Sequence, residues 1–318
     1  MVDRLIRDCG CKGVRTCLVC EKEYNLPKKE YTSLKEHKKT YVYCPSCNKA
    51  WPGWDVNATN HPIHTGEPLD FQGIFIQENF ITPAEESLLI EGIDNIQWEK
   101  SQSGRRKQNY GPKCNFKKKN LKVGDFNGFP EFSKFVQDKF KNVDMLKNYQ
   151  TIEQCSLEYD ADKGASIDPH IDDCWVWGER IVTVNLLEDS VLTLTPYHGE
   201  LSRYNLSDVE SYPPVLDRNG QVIEDEVENC SLNMYNLQNQ HDVVIRVPMP
   251  RYSLLVMFGF ARYVWEHCVL REDIIKRRVC LAYREFTPLY LKGGHYEKIG
   301  QEIITKAQQF WNHKKKTS

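Results

Sequence analysis

Apolar and polar positions change texture twice along the chain. Up to about residue 70 aliphatic residues are sparse, and WPGWDVNATNHPIHTGEP (51–68) is rich in turn formers, reading as a linker or wrapped loop. A strand-like run, FQGIFIQENF (71–80), follows. Thr82 then suits an N-cap, Pro83 the first helical position and Glu85 the reciprocal arm of a capping box, which predicts a helix over about 83–94 with Leu88, Leu89, Ile93 and Ile96 on one face. A second helix is predicted over 130–141, with Phe132, Phe135, Val136 and Phe140 inward. From 150 onward EQCSLEYD, RIVTVNLLE, VLTLTPY, DVVIRVPM, YSLLVMFG and VCLAYREF are short apolar or alternating runs between turn signals. They predict a mainly β fold, a sandwich or jelly roll with flanking helices, rather than alternating β/α units. At about 196–240, eight acids stand against two arginines, which reads as an exposed acidic insertion. HYEKIGQEIITKAQQFWNH predicts a terminal amphipathic helix with Ile299, Ile303, Ala307 and Phe310 on one side. Three regions are expected: a Cys-rich segment and linker at 1–70, a catalytic-sized domain at 71–295, and the helix with a basic tail at 296–318.

Composition narrows the class. With 7 Trp, 16 Tyr and 13 Phe in 318 residues, a disordered chain is disfavoured. A net charge of −2 gives no global attraction to nucleic acid or membrane, so such affinity would need a local patch. No apolar run reaches membrane-spanning length, and MVDRLIRDCGC has no apolar stretch of signal-peptide length. An intracellular protein, cytoplasmic and nuclear, is expected, with its 12 cysteines free, buried or metal-bound.

The densest chemistry is SIDPHIDDCW (166–175). On a strand, His170 and Asp172 would share a face and could be adjacent ligands of one metal. His267, after the apolar run YSLLVMFG, is the natural third; two His and one carboxylate make the facial triad of non-haem Fe(II) oxygenases. In RRVCLAYREF, Arg278 and Arg284 share a strand face with Cys280 and Ala282. Inward arginines are costly unless an anion meets them, and a dicarboxylate suits the bidentate guanidinium. At the amino terminus Cys9, Cys11, Cys17, Cys20, Cys44 and Cys47 read as structural Zn(II) ligands. Either Cys9, Cys11, Cys17 and Cys20, or Cys17, Cys20, Cys44 and Cys47, could form a four-thiolate site. Residues 101–124 hold no acid, and Arg105, Arg106 and six lysines interleaved with Tyr110 and Phe116 suit phosphate contact and stacking, or simply a solvated face.

H-x-D, a distal His and R-x5-R in this order resemble the AlkB family of Fe(II)/2-oxoglutarate dioxygenases, and RRKQNYGPK (105–113) resembles that family's nucleotide-recognition lid. CGCKGVRTCLVCE, SQSGRRKQNYGPKCNF and GASIDPHIDDCWVWGER resemble its homologue 4 branch in particular. The resemblance implies a double-stranded β-helix; Fe(II) on His170, Asp172 and His267; 2-oxoglutarate on Arg278, Arg284 and Tyr159; and O₂ as the oxidant. The lid would contribute Arg105, Arg106, Gln108 and Tyr110. The implied reaction is N-methyl hydroxylation with formaldehyde release, from methyl-lysine in a protein such as actin or from N6-methyladenine in DNA. Leu157 stands where the family's tyrosine motif has Asn, and Cys280 and Ala282 where relatives often have Asn and Thr. A non-catalytic metal-binding interaction protein is the rival reading.

Overall fold

The computed structural model describes residues 7–27, 32–58, 61–224 and 242–312. Two seven-stranded sheets face each other. The first contains β1 (Lys39–Cys44), β2 (Lys49–Pro52), β3 (Leu69–Asp70), β8 (Ile167–His170), β10 (Ser190–Pro196), β11 (Val243–Met249) and β13 (Trp265–Val269), in the order β8-β13-β10-β11-β1-β2-β3. The second contains β4 (Ile74–Gln77), β5 (Glu99–Lys100), β6 (Arg106–Tyr110), β7 (Glu153–Tyr159), β9 (Trp177–Leu186), β12 (Leu254–Met257) and β14 (Arg278–Phe286), in the order β4-β12-β9-β14-β7-β6-β5. Pairing is antiparallel apart from β1 on β11, and the architecture is the expected jelly roll.

The alternation in the strands sorts side chains between two cores. After two short helices, α1 (Leu18–Glu23) and α2 (Thr32–His37), come α3 (Pro83–Asp94) and α4 (Lys134–Phe140), against which Val182, Val184 and Leu186 of β9 and Val279, Leu281 and Tyr283 of β14 pack outward. Ile181 of β9 and Cys280 and Phe286 of β14 turn the other way, into the core shared with the first sheet. The period of two therefore places Arg278, Cys280, Ala282 and Arg284 on the face between the sheets. α3 starts with the expected capping box, Thr82 accepting from the Glu85 amide and Glu85 from that of Thr82. Leu89 and Ile93 are its buried apolar side chains, whereas Leu88 is half exposed and Ile96 lies past the last turn. The terminal helix, Glu297–Ala307, buries Ile303 and Ala307 with Ile299 at its margin. Phe310 falls beyond it, in a two-residue strand parallel to Phe129–Pro130.

Three expectations change. The first 70 residues contribute β1, β2 and β3 to a core sheet, with Val42 opposite Arg246. The acidic stretch is no exposed loop over its described part: Tyr204, Leu206, Val209 and Tyr212 are buried against Ile171, Cys174 and Tyr263. Its acids face outward, where Asp208 meets Lys119 at 3.3 Å, so their number conceals an apolar period. Residues 225–240 of that stretch and the basic tail at 313–318 lie outside the described residues. Finally, the basic segment divides into β6, an integral strand, and a hairpin over residues 113–122. No described helix is long and apolar enough to cross a membrane.

Candidate active site

Strands β8 and β13 bring the two imidazoles together. His170 is the register partner of His267, and their ring centroids are 4.2 Å apart. His170 Nδ1 donates to the Asp168 carbonyl at 2.8 Å, which leaves Nε2 for another partner. Asp172 is not on the strand, as the spacing suggested; β8 stops at His170 and a turn carries the carboxylate inward. There Oδ1 accepts from Nη2 of Arg284 at 3.0 Å. Burial pushes both imidazoles below their ordinary pKa, so they are neutral with lone pairs available. Burial alone would raise Asp172, but the Arg284 guanidinium reverses this and holds it well below the usual carboxylate range. Asp172 Oδ2 and His267 Nδ1 are buried without a hydrogen-bond partner. Each such group costs about 1–3 kcal/mol unless something meets it, and a divalent cation would. This donor set fits Fe(II).

Across the sheet interface, Arg278 is almost fully buried opposite Tyr159, its guanidinium 4.8 Å from the ring centroid. Its Nε donates to Asn185 Oδ1 at 2.7 Å, while Nη1 is buried without a partner. Among the described residues no carboxylate forms an ion pair with it. Arg278 is therefore a buried cation with a donor left over, which suits a carboxylate ligand. Arg284 differs. Glu153 takes its Nη1 at 2.6 Å and Asp172 its Nη2, so its two ends already hold protein carboxylates. The anion that meets it is provided by the fold.

Asn185 was not anticipated. Its amide donates to the carbonyls of Glu188, Met249 and Pro250, and the carbonyl oxygen is thereby aimed at Arg278. The signal in the sequence was one amide within the apolar run RIVTVNLLE. Asn185→Ala should weaken the binding of a carboxylate ligand at Arg278 about tenfold, the loss expected of one hydrogen bond to a charged group. Titration of dicarboxylates followed by thermal shift checks this; an affinity equal to that of the wild type would assign Asn185 a different role.

A cavity of about 550 Å³ opens beside the imidazoles, lined by His170, Asp172, Trp177, Arg105, Phe116 and Arg15 among others. Of the four residues expected in a substrate lid, Arg105 alone reaches it. Arg106 pairs with buried Glu158. Gln108 is buried, donating to the Ile93 and Ile96 carbonyls at 2.8 and 2.9 Å. Tyr110 packs edge-on to Trp311. A run that looked like a solvated lid is half a sheet strand whose buried positions happen to be polar. Trp177 walls the cavity, while Trp175 and Trp265 pack in the core.

The Sγ atoms of Cys9, Cys11, Cys17 and Cys20 all lie within 4.8 Å of one another. Cys17 and Cys20 are 3.9 Å apart, near the edge of about 3.8 Å set by a tetrahedron of Zn–S bonds. The alternative set with Cys44 and Cys47 is not the one assembled. Glu21, just after this cluster, takes two hydrogen bonds from Arg271 at 2.7 and 2.8 Å, fastening the cluster to the catalytic core.

Two imidazoles with a carboxylate beside a cavity of a jelly roll, and a buried arginine that forms no ion pair among the described residues, suit the class of 2-oxoglutarate-dependent dioxygenases. The chain is similar to mouse "Alpha-ketoglutarate-dependent dioxygenase alkB homolog 4", 36% identical with 96% of each chain covered. The human protein of the same name is 37% identical, over 96% of this chain and 95% of its own. A Caenorhabditis elegans "DNA N6-methyl adenine demethylase" is 33% identical over 93% of both chains. No family model matches. This chain belongs to the AlkB family and is a 2-oxoglutarate-dependent dioxygenase acting as a demethylase, a chemistry that implies Fe(II), 2-oxoglutarate and O₂.

Proposed function

We propose that this enzyme removes the methyl group of N6-methyladenine in DNA. His170, Asp172 and His267 hold the iron, and Arg278 holds the distal carboxylate of 2-oxoglutarate, aided by Asn185 and Tyr159. Arg284 is a positioning residue that fixes Asp172. Iron(II) bound there supplies, with 2-oxoglutarate and O₂, the oxidation of the N-methyl carbon, which leaves as formaldehyde while the co-substrate becomes succinate and CO₂. The chain's own part is to hold the ligands in fixed rotamers, neutralise the co-substrate and exclude water with Trp177.

The observation that carries the substrate class is the lining of the cavity: Arg15, Arg105 and Arg203 with Phe116, whose ring is about half exposed. Guanidiniums suit phosphates and an exposed ring suits an unstacked base. The relative from C. elegans supports the same reading by its name. Methyl-lysine in a protein such as actin is the second reading, favoured by Asp168 and Asp173 in the same lining. Formaldehyde released from an N6-methyladenine oligonucleotide and from a methyl-lysine peptide, measured in parallel at several salt concentrations, tests the choice. DNA turnover that falls steeply with salt and with Phe116→Ala is expected; turnover of the peptide alone would overturn it. The Cys9, Cys11, Cys17 and Cys20 group is proposed to hold a structural Zn(II).

A further inference from the structure

Cys44 and Cys47 belong to a second cluster that shares no residue with the first. β1 ends at Cys44, and a turn at residues 45–48 leads into β2, with Cys44 opposite Lys49. Asn48 takes a φ of 53° there, folding the turn tightly enough to bring the second thiol back beside the first. From the stretch that looked like a linker, His61 and His64 come to the same place, the His64 amide donating to the Pro62 carbonyl at 3.1 Å. The four donor atoms lie within 4.8 Å of one another.

The spacings are those of a tetrahedron. Cys44 Sγ is 3.8 Å from His61 Nδ1, and Cys47 Sγ is 3.7 Å from His64 Nε2. Bonds of about 2.3 Å to sulfur and 2.0–2.1 Å to nitrogen around one zinc would set these edges at about 3.6 Å. A supporting contact is also in place. The Trp51 indole N–H donates to Cys47 Sγ at 3.3 Å, and the same ring stacks on His64 with centroids 4.4 Å apart and planes at 12°. One side chain thus orients a donor from each half of the cluster, as partners of metal ligands do.

We propose that Cys44, Cys47, His61 and His64 bind a zinc ion. Four protein donors leave no open position, so the site is structural. It ties the loop after β2 to the end of β1, a strand hydrogen-bonded to β11 of the core. Burial of Cys44 and the exposure of His61 place the ion at the surface end of that strand, and residues 59–60 lie outside the described part.

The test is zinc content and X-ray absorption of the full chain purified with His170→Ala/Asp172→Ala, so that zinc cannot occupy the catalytic cavity. Two zinc ions per chain with an average of about three sulfurs and one nitrogen are expected, falling to one all-sulfur zinc on His61→Ala/His64→Ala. One zinc with two sulfurs and two nitrogens would keep this site and remove the four-cysteine one. A single all-sulfur zinc before any substitution of His61 or His64, or two zinc ions untouched by it, would overturn the proposal. The first of these needs no further variant, so poor folding of the histidine variant does not shield it.

Discussion

Replacing both His170 and Asp172 by alanine should lower 2-oxoglutarate turnover at least about a thousandfold, to the background of free iron. One imidazole remains after the change, too few protein donors to hold a divalent ion in the cavity. The charge balance of the buried site gives the same answer. Asp172 and Glu153 together outweigh Arg284 by one negative charge, and Arg278 contributes one positive charge. Buried Arg262 adds a further positive charge that acts on Asp172, so losing the carboxylate would leave buried guanidiniums to repel an incoming cation. Without Asp172, Arg284 keeps Glu153 as a one-to-one pair, and the fold should persist. Succinate formation, beside circular dichroism and melting temperature, checks both halves of this expectation; residual iron-dependent turnover within tenfold of wild type would exclude these residues as ligands.

Arg278→Met should weaken 2-oxoglutarate binding about a hundredfold or more, because a carboxylate would enter a buried pocket without its cation. Its effect on the empty protein should have the opposite sign. The guanidinium is almost wholly buried and Nη1 has no partner, so an apolar side chain of similar length should leave the melting temperature unchanged or raise it. Wild type should be stabilised by added 2-oxoglutarate and Fe(II), whereas the variant should gain almost nothing at the same concentrations. Thermal shift with and without the co-substrate separates these effects. A variant destabilised when empty, yet still stabilised by 2-oxoglutarate, would place the carboxylate elsewhere.

Legibility in the sequence followed how local each feature is. The capping box at Thr82 and Glu85 involves one turn, and its helix has the expected bounds. The β runs after 150 could be read because both faces of β9 and β14 are buried, leaving continuous apolar stretches. His170 and His267 pair across two strands, while Asp172 arrives through a turn and is linked to Arg284 between the sheets. Features that depend on tertiary contact were hidden. His61 and His64 sit among turn formers and acquire meaning only beside Cys44 and Cys47. Gln108 lies in a polar run with no apolar period, because its burial is compensated by two backbone carbonyls at the end of α3. Tyr204, Leu206, Val209 and Tyr212 were masked by neighbouring acids on the outer face.

The most direct test of demethylation by this site is the joint release of succinate and formaldehyde by the iron-loaded enzyme given 2-oxoglutarate, O₂ and N6-methyladenine DNA, beside the His170→Ala/Asp172→Ala variant. Equal amounts of both products from the wild type, neither without Fe(II) and neither from the variant, are predicted. Succinate without formaldehyde on every methylated substrate offered would contradict demethylation, and no succinate at all from the folded, iron-loaded chain would contradict the dioxygenase site itself.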